Sequence, residues 1–306
     1  MTAPGRSVVQ RIGVPALFVL LWSTGFIGAK YGLPYAEPLT FLGVRLAAAA
    51  GLLALAALAL RGTGMPRPAS YGHAAVAGVL LHAGYLGGVF VAISLGTPAG
   101  VAAVVVSLQP VLTALLARRV LGERAVLRQW LGSAIGVAGV VMVVGPGIAT
   151  ATGADRPLSV PGLLACLVAL ASGTAGTVYQ KRHGDDTPLV WGTAVQYAAA
   201  AALLLVGAAG TEDMVIRWTG DFVLALVWLV LVLSLGAVLL LFLLLRRGTA
   251  SGVSGLLYLV PPAVAVEAFL LFGETLPRLS LAGIGVTALG VALVVLPPRQ
   301  PARPRV

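Results

Sequence analysis

His82 and Tyr85 sit three residues apart near the middle of a long apolar run, on one face of the helix that such a run must form. A polar or ionisable group at membrane depth costs several kcal/mol unless it is paired or hydrated, so each marks a site to examine. This pair could hydrogen bond a substrate or belong to a proton path. The plainer alternative is a neutral imidazole satisfied by a neighbouring carbonyl. Gln109 stands just before Pro110, and Tyr258 before Pro261 and Pro262, so both are expected to point into unwound backbone. Trp22, Ser23 and Thr24 on one run, opposite Ser172, Thr174 and Thr177 on another, supply an aromatic wall and hydroxyls, and Tyr179 and Gln180 follow. Together these residues predict an amphipathic site with few charges, suited to amino acids or other small metabolites with an apolar part. They do not form the clustered His, Asp or Glu of an enzyme, a metal site or a cofactor site. A membrane enzyme or receptor is therefore the reading of a different class.

Few charges lie inside the runs. Arg45 is expected to snorkel, or to pair with Glu267 or Glu37. At about 100° per residue, Glu267 falls on the face of its helix opposite Tyr258. A structural partnership and proton coupling are both open to it. Glu123 and Glu274 each follow a glycine just past a helix end and are expected to be structural, Glu123 as a cap or ion pair among Arg118, Arg119, Arg124 and Arg128.

The helices that must carry these residues are easily found. The chain has 306 residues, 59% of them hydrophobic and 10% charged, with a mean hydropathy of +1.00. Soluble domains carry roughly 25% charged residues. Apolar runs long enough to cross about 30 Å of hydrocarbon recur at 12–33, 38–60, 70–94, 98–118, 126–146, 158–181, 187–208, 220–245, 249–271 and 278–297. Ten spans are predicted, the first retained and not cleaved as a signal. The net charge of +10 is scattered at the ends of the runs, which argues against nucleic acid as a partner. Cys166, the one cysteine, is a small core residue. With both termini on the same side, fifteen Lys and Arg fall on that side and four on the other, which predicts cytoplasmic termini.

Sliding the chain on itself by 151 residues lays 98–146 over 249–297 with thirteen of 49 positions identical, among them Pro110/Pro261, Gly122/Gly273, Glu123/Glu274, Gly132/Gly283 and Gly139/Gly290. Five spans per repeat is an odd number, so the halves must cross the membrane in opposite senses. Such halves can exchange conformations and open a shared site to each side in turn. Pro110, Pro261 and Pro262 remove backbone donors at matched places and should bend helices that line a central cavity, because freed carbonyls are tolerated only where protein or water satisfies them. Gly132 and Gly136 form a Gly-x-x-x-Gly ridge, either a contact within the fold or a dimer seam.

The stretch LQPVLTALLARRVLGERAVLRQWLGSAIGVAGVVMV strongly resembles the signature hairpin of the drug/metabolite transporter superfamily, in its EamA-type branch, and LVPPAVAVEAFLLFGETLPRLSLAGIGVTALGVALVVLP resembles a second copy. The opening LWSTGFIGAKYGLPYAEPLTFLGVRLAAAAGLLAL is similar to that family's first pair of helices, with Pro38 and Arg45 in place. The resemblance implies a ten-helix secondary carrier of the bacterial inner membrane, often an exporter of amino acids or related metabolites, with a cavity lined by spans one, three, four, six, eight and nine.

The expected architecture is an all-α integral membrane protein of two inverted five-helix repeats, at 1–147 and 158–297, with a linker at 148–157 and a cytoplasmic tail at 298–306. The expected activity is export of small amphipathic metabolites by alternating access. Uptake of similar compounds and drug efflux are the nearer alternatives. The expected partners are a small-molecule substrate and the lipid bilayer, with proton coupling a further expectation and a monomer or weak homodimer as the assembly.

Overall fold

The computed structural model describes residues 13–59, 68–95, 97, 102, 105–123, 126–151, 160–184, 187–272 and 277–295. Its regular structure over these is helical, apart from one isolated bridge between Ala36 and Ile216 in the connections. The helices are α1 (Val14–Gly32), α2 (Pro38–Ala59), α3 (Pro68–Gly78, a π-helical stretch Val79–Gly87, then Gly88–Ser94), α4 (Gln109–Val120) and α5 (Leu127–Ala151). The second half repeats the series with α6 (Val160–His183), α7 (Leu189–Thr211), α8 (Gly220–Arg247, π-helical over Leu229–Ala237), α9 (Ala250–Leu256, a 3-10 turn Leu257–Leu259, then Val260–Phe272) and α10 (Arg278–Val295).

Six segments, in α2, α3 and α6 to α9, are long and apolar enough to cross a membrane, and α1, α5 and α10 contain shorter apolar stretches. Large apolar side chains such as Leu55, Leu164, Val206, Leu224 and Leu270 are more than half exposed around the bundle, the pattern of a surface solvated by lipid. The predicted spans and the observed helices coincide to within a few residues, with two exceptions: of the span 98–118 the described helix is Gln109–Val120, with 98–101 and 103–104 outside the described residues, and α5 differs in extent. α5 was expected to stop at Pro146 and instead runs through it to Ala151, since a proline removes one hydrogen bond without having to end the helix.

The two halves are related in the way an odd number of helices demands. Each main helix contact has its counterpart when the halves are exchanged: α1 on α8 answers α6 on α3, α1 on α9 answers α6 on α4, and α2 on α8 answers α7 on α3. The helices α5 and α10 pack on one another, as do α2 and α7. In the first of these pairs the contact is self-complementary. A Cβ placed on Gly132 would come 2.7 Å from the Gly290 carbonyl, and one on Gly283 would come 2.8 Å from the Gly139 carbonyl. Residue numbers rise along α5 as they fall along α10, so these equivalent helices are antiparallel. The glycine ridge is thereby spent within the fold, between the repeats. The π-helical stretches of α3 and α8 are also equivalent, being nine residues each and 150 residues apart.

Breaks in α4 and α9 match as well. Pro110 stands in the first turn of α4, directly after a turn at Ser107–Leu108, and in α9 the 3-10 turn Leu257–Leu259 comes immediately before Val260, Pro261 and Pro262. The expectation of a bend near mid-span is corrected in its detail. The break precedes the proline, because the ring clashes with the carbonyl four residues upstream and removes the donor that would have bonded it. Those carbonyls belong to Val106 for Pro110 and to Leu257 for Pro261, two residues 151 apart.

The Gly-Glu that closes α4 performs two local tasks. Gly122 has a φ of +69°, and the Glu123 amide returns to the Ala117 carbonyl, ending the helix in a left-handed cap. The Glu123 carboxylate then accepts a hydrogen bond from the Ala250 amide at 3.0 Å, capping the start of α9 in the other repeat. Its structural role thus joins the repeats in addition to holding its own hairpin. Glu123→Ala is expected to cost about 1 kcal/mol of stability, read by denaturant unfolding in micelles. Glu274 lies outside the described residues.

Candidate functional site

At mid-bundle, one residue or more from each of α1, α3, α4, α6, α8 and α9 surrounds a narrow hollow, lined by Trp22, His82, Tyr85, Gln109, Thr177 and Ser254 among others. A neighbouring hollow shares Trp22, Tyr85, Gln109 and Leu257 and adds Val106, Ser107 and Pro261. Val106 and Leu257, each four residues before a proline, both line this chamber, and the Leu257 carbonyl accepts from the Val260 amide within the 3-10 turn. The walls are aromatic and aliphatic, and the polar atoms are few and underused. Neither His82 ring nitrogen has a partner in hydrogen-bond geometry, although Gln196 lies close enough to interact. Gln109 donates from Nε2 to Thr177 Oγ1 at 3.2 Å, while its Oε1 and the Ser254 hydroxyl are buried without partners. Buried polar atoms are normally satisfied, so these unpaired atoms in an apolar wall are acceptors and donors open to a ligand or to water.

The other sequence candidates lie elsewhere. Ser23 is fully buried, and its hydroxyl approaches both the Leu20 carbonyl and Glu267 Oε1. Ser172 faces Gly84 of α3, so close that a Cβ there would meet its hydroxyl. Tyr258 is turned away from the chamber. Its ring packs against Gly136 of α5 and its hydroxyl is directed towards Ser133, because the 3-10 turn ahead of the prolines rotates this part of α9. Tyr179 sits at the basic end of the bundle beside His73 and His183.

The ion pairing expected of Arg45 is not what forms. Arg45 is 3% exposed and donates from Nε to Ser234 Oγ at 3.0 Å, and the hydroxyl of Tyr197 donates to the Ser234 carbonyl. Glu267 is engaged by Ser23 from α1, and Glu37 accepts from the Asp213 amide. The carboxylates are held by nearer donors, and the guanidinium lies instead in a buried polar layer that includes His82 and Gln196. The opposed faces predicted for Glu267 and Tyr258 are observed, one towards α1 and the other towards α5.

Three further features were not anticipated, two of which leave no signal in the residues. The π-helical stretches carry His82, Tyr85 and Ser234, and i to i+5 bonding has no residue signature. Ser254 reads as a small polar residue among many. Gln196 and Tyr197 carried a signal as polar residues deep in an apolar run, and they could have been found from it.

The less basic end of the bundle is tied across the repeats, and the basic end within the second repeat. At the less basic end, Glu212 accepts from the Leu39 and Thr40 amides and from the Thr40 hydroxyl, capping α2, and Arg217 lies over the Tyr35 ring at 5.5 Å. At the basic end, Lys181 donates to the Leu245 carbonyl at 2.7 Å and Arg246 to the carbonyls of Gly184 and Thr187.

Inverted five-helix units around an enclosed, sparsely polar chamber, with a lipid-facing exterior, define a multi-pass helical membrane transporter. The model of the EamA-like transporter family matches residues 12–145 and again 160–296, and the chain belongs to that family. Among its relatives, YedA of Escherichia coli strain K12, named an uncharacterized inner membrane transporter, is 31% identical over 95% of this chain and 92% of its own. YvbV of Bacillus subtilis, named an uncharacterized transporter, is 29% identical over 91% of this chain and 89% of its own. A Salmonella typhimurium protein named a probable amino-acid metabolite efflux pump is 27% identical over 91% and 92%. A solved crystal structure superposes with a TM-score of 0.76 over 94% of this chain and 98% of that one, at 22% identity, a likeness of fold.

Proposed function

We propose that this protein exports small amphipathic metabolites, with amino acids bearing apolar or aromatic side chains foremost, by alternating access through the mid-bundle chamber. The observation that carries the reading is the chamber itself. Two equivalent helix breaks, one in each repeat, meet at an apolar hollow whose buried polar atoms at His82, Gln109 and Ser254 lack partners. Trp22 and Tyr85 receive the apolar part of the substrate, and His82 and Gln109 its polar end. The name of the Salmonella typhimurium relative supports amino acids as the first class to test.

On this reading the first repeat ends with α5, which runs to Ala151 and so into the 148–157 stretch expected as a linker, the second repeat lies within 158–297, and the excess of fifteen basic residues over four supports cytoplasmic termini, including the tail at 298–306. His82 is the candidate for proton coupling.

The test is transport by purified protein in proteoliposomes, using a panel of amino acids with and without an imposed pH gradient. Counterflow of apolar or aromatic amino acids above protein-free vesicles is expected, accelerated by the gradient. A panel in which nothing moves faster than in empty vesicles would overturn the reading. Equal rates with and without the gradient would remove the coupling alone.

A further inference from the structure

A second, narrow hollow lies at the basic end between α3, α6, α7 and α8, with a lining distinct from that of the mid-bundle chamber. We infer that it is an anion site that holds the carboxylate of a small organic acid or amino acid at the entrance to the chamber. His73 Nδ1 lies 2.7 Å from the Tyr179 hydroxyl. The His73 and His183 rings are stacked with centroids 4.4 Å apart and planes within 10°. Arg246 completes the wall. A terminal nitrogen of its guanidinium donates to the Gly184 and Thr187 carbonyls, which fixes the group, while its Nε is buried with no acceptor.

A clamped guanidinium with a spare donor, beside two imidazoles and a hydroxyl, is an arrangement that favours a small oxyanion. Among the described residues no carboxylate lines this hollow. Asp185 and Asp186, in the loop between α6 and α7, lie outside them.

Its position gives the site its role. At its inner end Gln196 donates to Gln180 at 3.0 Å, and Phe242 lines the hollow while its ring packs edge-on to His82, 6.4 Å between centroids. His82 in turn lines the central chamber. One layer, the glutamine pair and Phe242, therefore separates the two cavities. A solute held at Arg246 reaches His82 when that layer parts. The entrance role rests on the transport reading, whereas the anion site stands on its own geometry.

The chain has three histidines, so histidine labelled with nitrogen-15 gives three imidazole environments to follow by NMR in nanodiscs. The ligands are 4-methylpentanoate and its uncharged amide. The acid is expected to shift His73 and His183 saturably and the amide to leave both unmoved. Arg246→Gln is expected to weaken the response roughly tenfold to a hundredfold, the worth of one hydrogen bond to a charged group. Equal shifts with acid and amide, movement of His82 alone, no movement at all, or an undiminished response in Arg246→Gln would each overturn the site. The two compounds decide the matter on the unaltered protein if the variant does not fold. Saturable binding without transport in vesicles would instead fell the export reading and leave the anion site standing.

Discussion

Gly290→Leu is expected to destabilise the protein by about 3 kcal/mol, while Gly285→Leu, on the same helix, leaves stability unchanged or slightly raised. A Cβ on Gly290 would lie 2.5 Å from the Gly136 nitrogen and 2.7 Å from the Gly132 carbonyl oxygen, both backbone atoms that cannot swing aside. A Cβ on Gly285 meets nothing within 4 Å, and leucine is the better helix former there. In hydrocarbon, helices gain little from hiding apolar surface from one another, so close backbone approach carries the α5 and α10 contact. Unfolding in mixed micelles, followed by circular dichroism, compares the two variants. Equal losses would mean that α5 and α10 do not meet as described.

His82→Ala and Gln109→Ala are each expected to weaken apparent substrate affinity in vesicles roughly tenfold or more, with membrane insertion intact. On the proposed function each removes a group whose hydrogen bonds the substrate would complete, worth about 1 to 3 kcal/mol when the partner is left buried. That is a factor of roughly ten to a hundred. Trp22→Ala is expected to shift preference away from aromatic side chains. Tyr258→Phe supplies the contrast, since its hydroxyl is directed at Ser133, behind the chamber, and substrate preference should not change. Unaltered uptake and efflux in His82→Ala would remove that residue from the site. A changed preference in Tyr258→Phe would mean that the α9 turn rotates into the chamber during transport.

Much of the fold could be read in the residues because membrane helices obey few rules. Length and apolarity mark the spans, Arg and Lys mark their ends, and repeated Pro, Gly and Glu mark the duplication. The glycine ridge of α5 was readable as a contact, although not its partner, since Gly132 could equally have met a second copy of the chain. The site was partly legible. Trp22, His82, Tyr85 and Gln109 come together at one chamber, whereas Ser23, Ser172, Tyr179 and Tyr258, of the same polar types, do not. What separates the groups is the rotation of each helix about its axis. A 3-10 turn before Pro261 and the π-helical stretches in α3 and α8 set that rotation, and neither leaves a pattern in the residues. Arg45 shows a second limit. Charge alone pointed to Glu267 or Glu37, but a hydroxyl on α1 and an amide in the connection after α7 reach those carboxylates, and the guanidinium settles on Ser234.

The shared chamber can be tested by cysteine accessibility at the two equivalent breaks. Val106→Cys and Leu257→Cys, each in a Cys166→Ser background, would be treated with a membrane-impermeant thiol reagent from either side of sealed vesicles. Both positions are expected to react, each from both sides, as the chamber opens alternately. Reaction at only one position, from only one side, or at neither would contradict two inverted repeats closing on a common site.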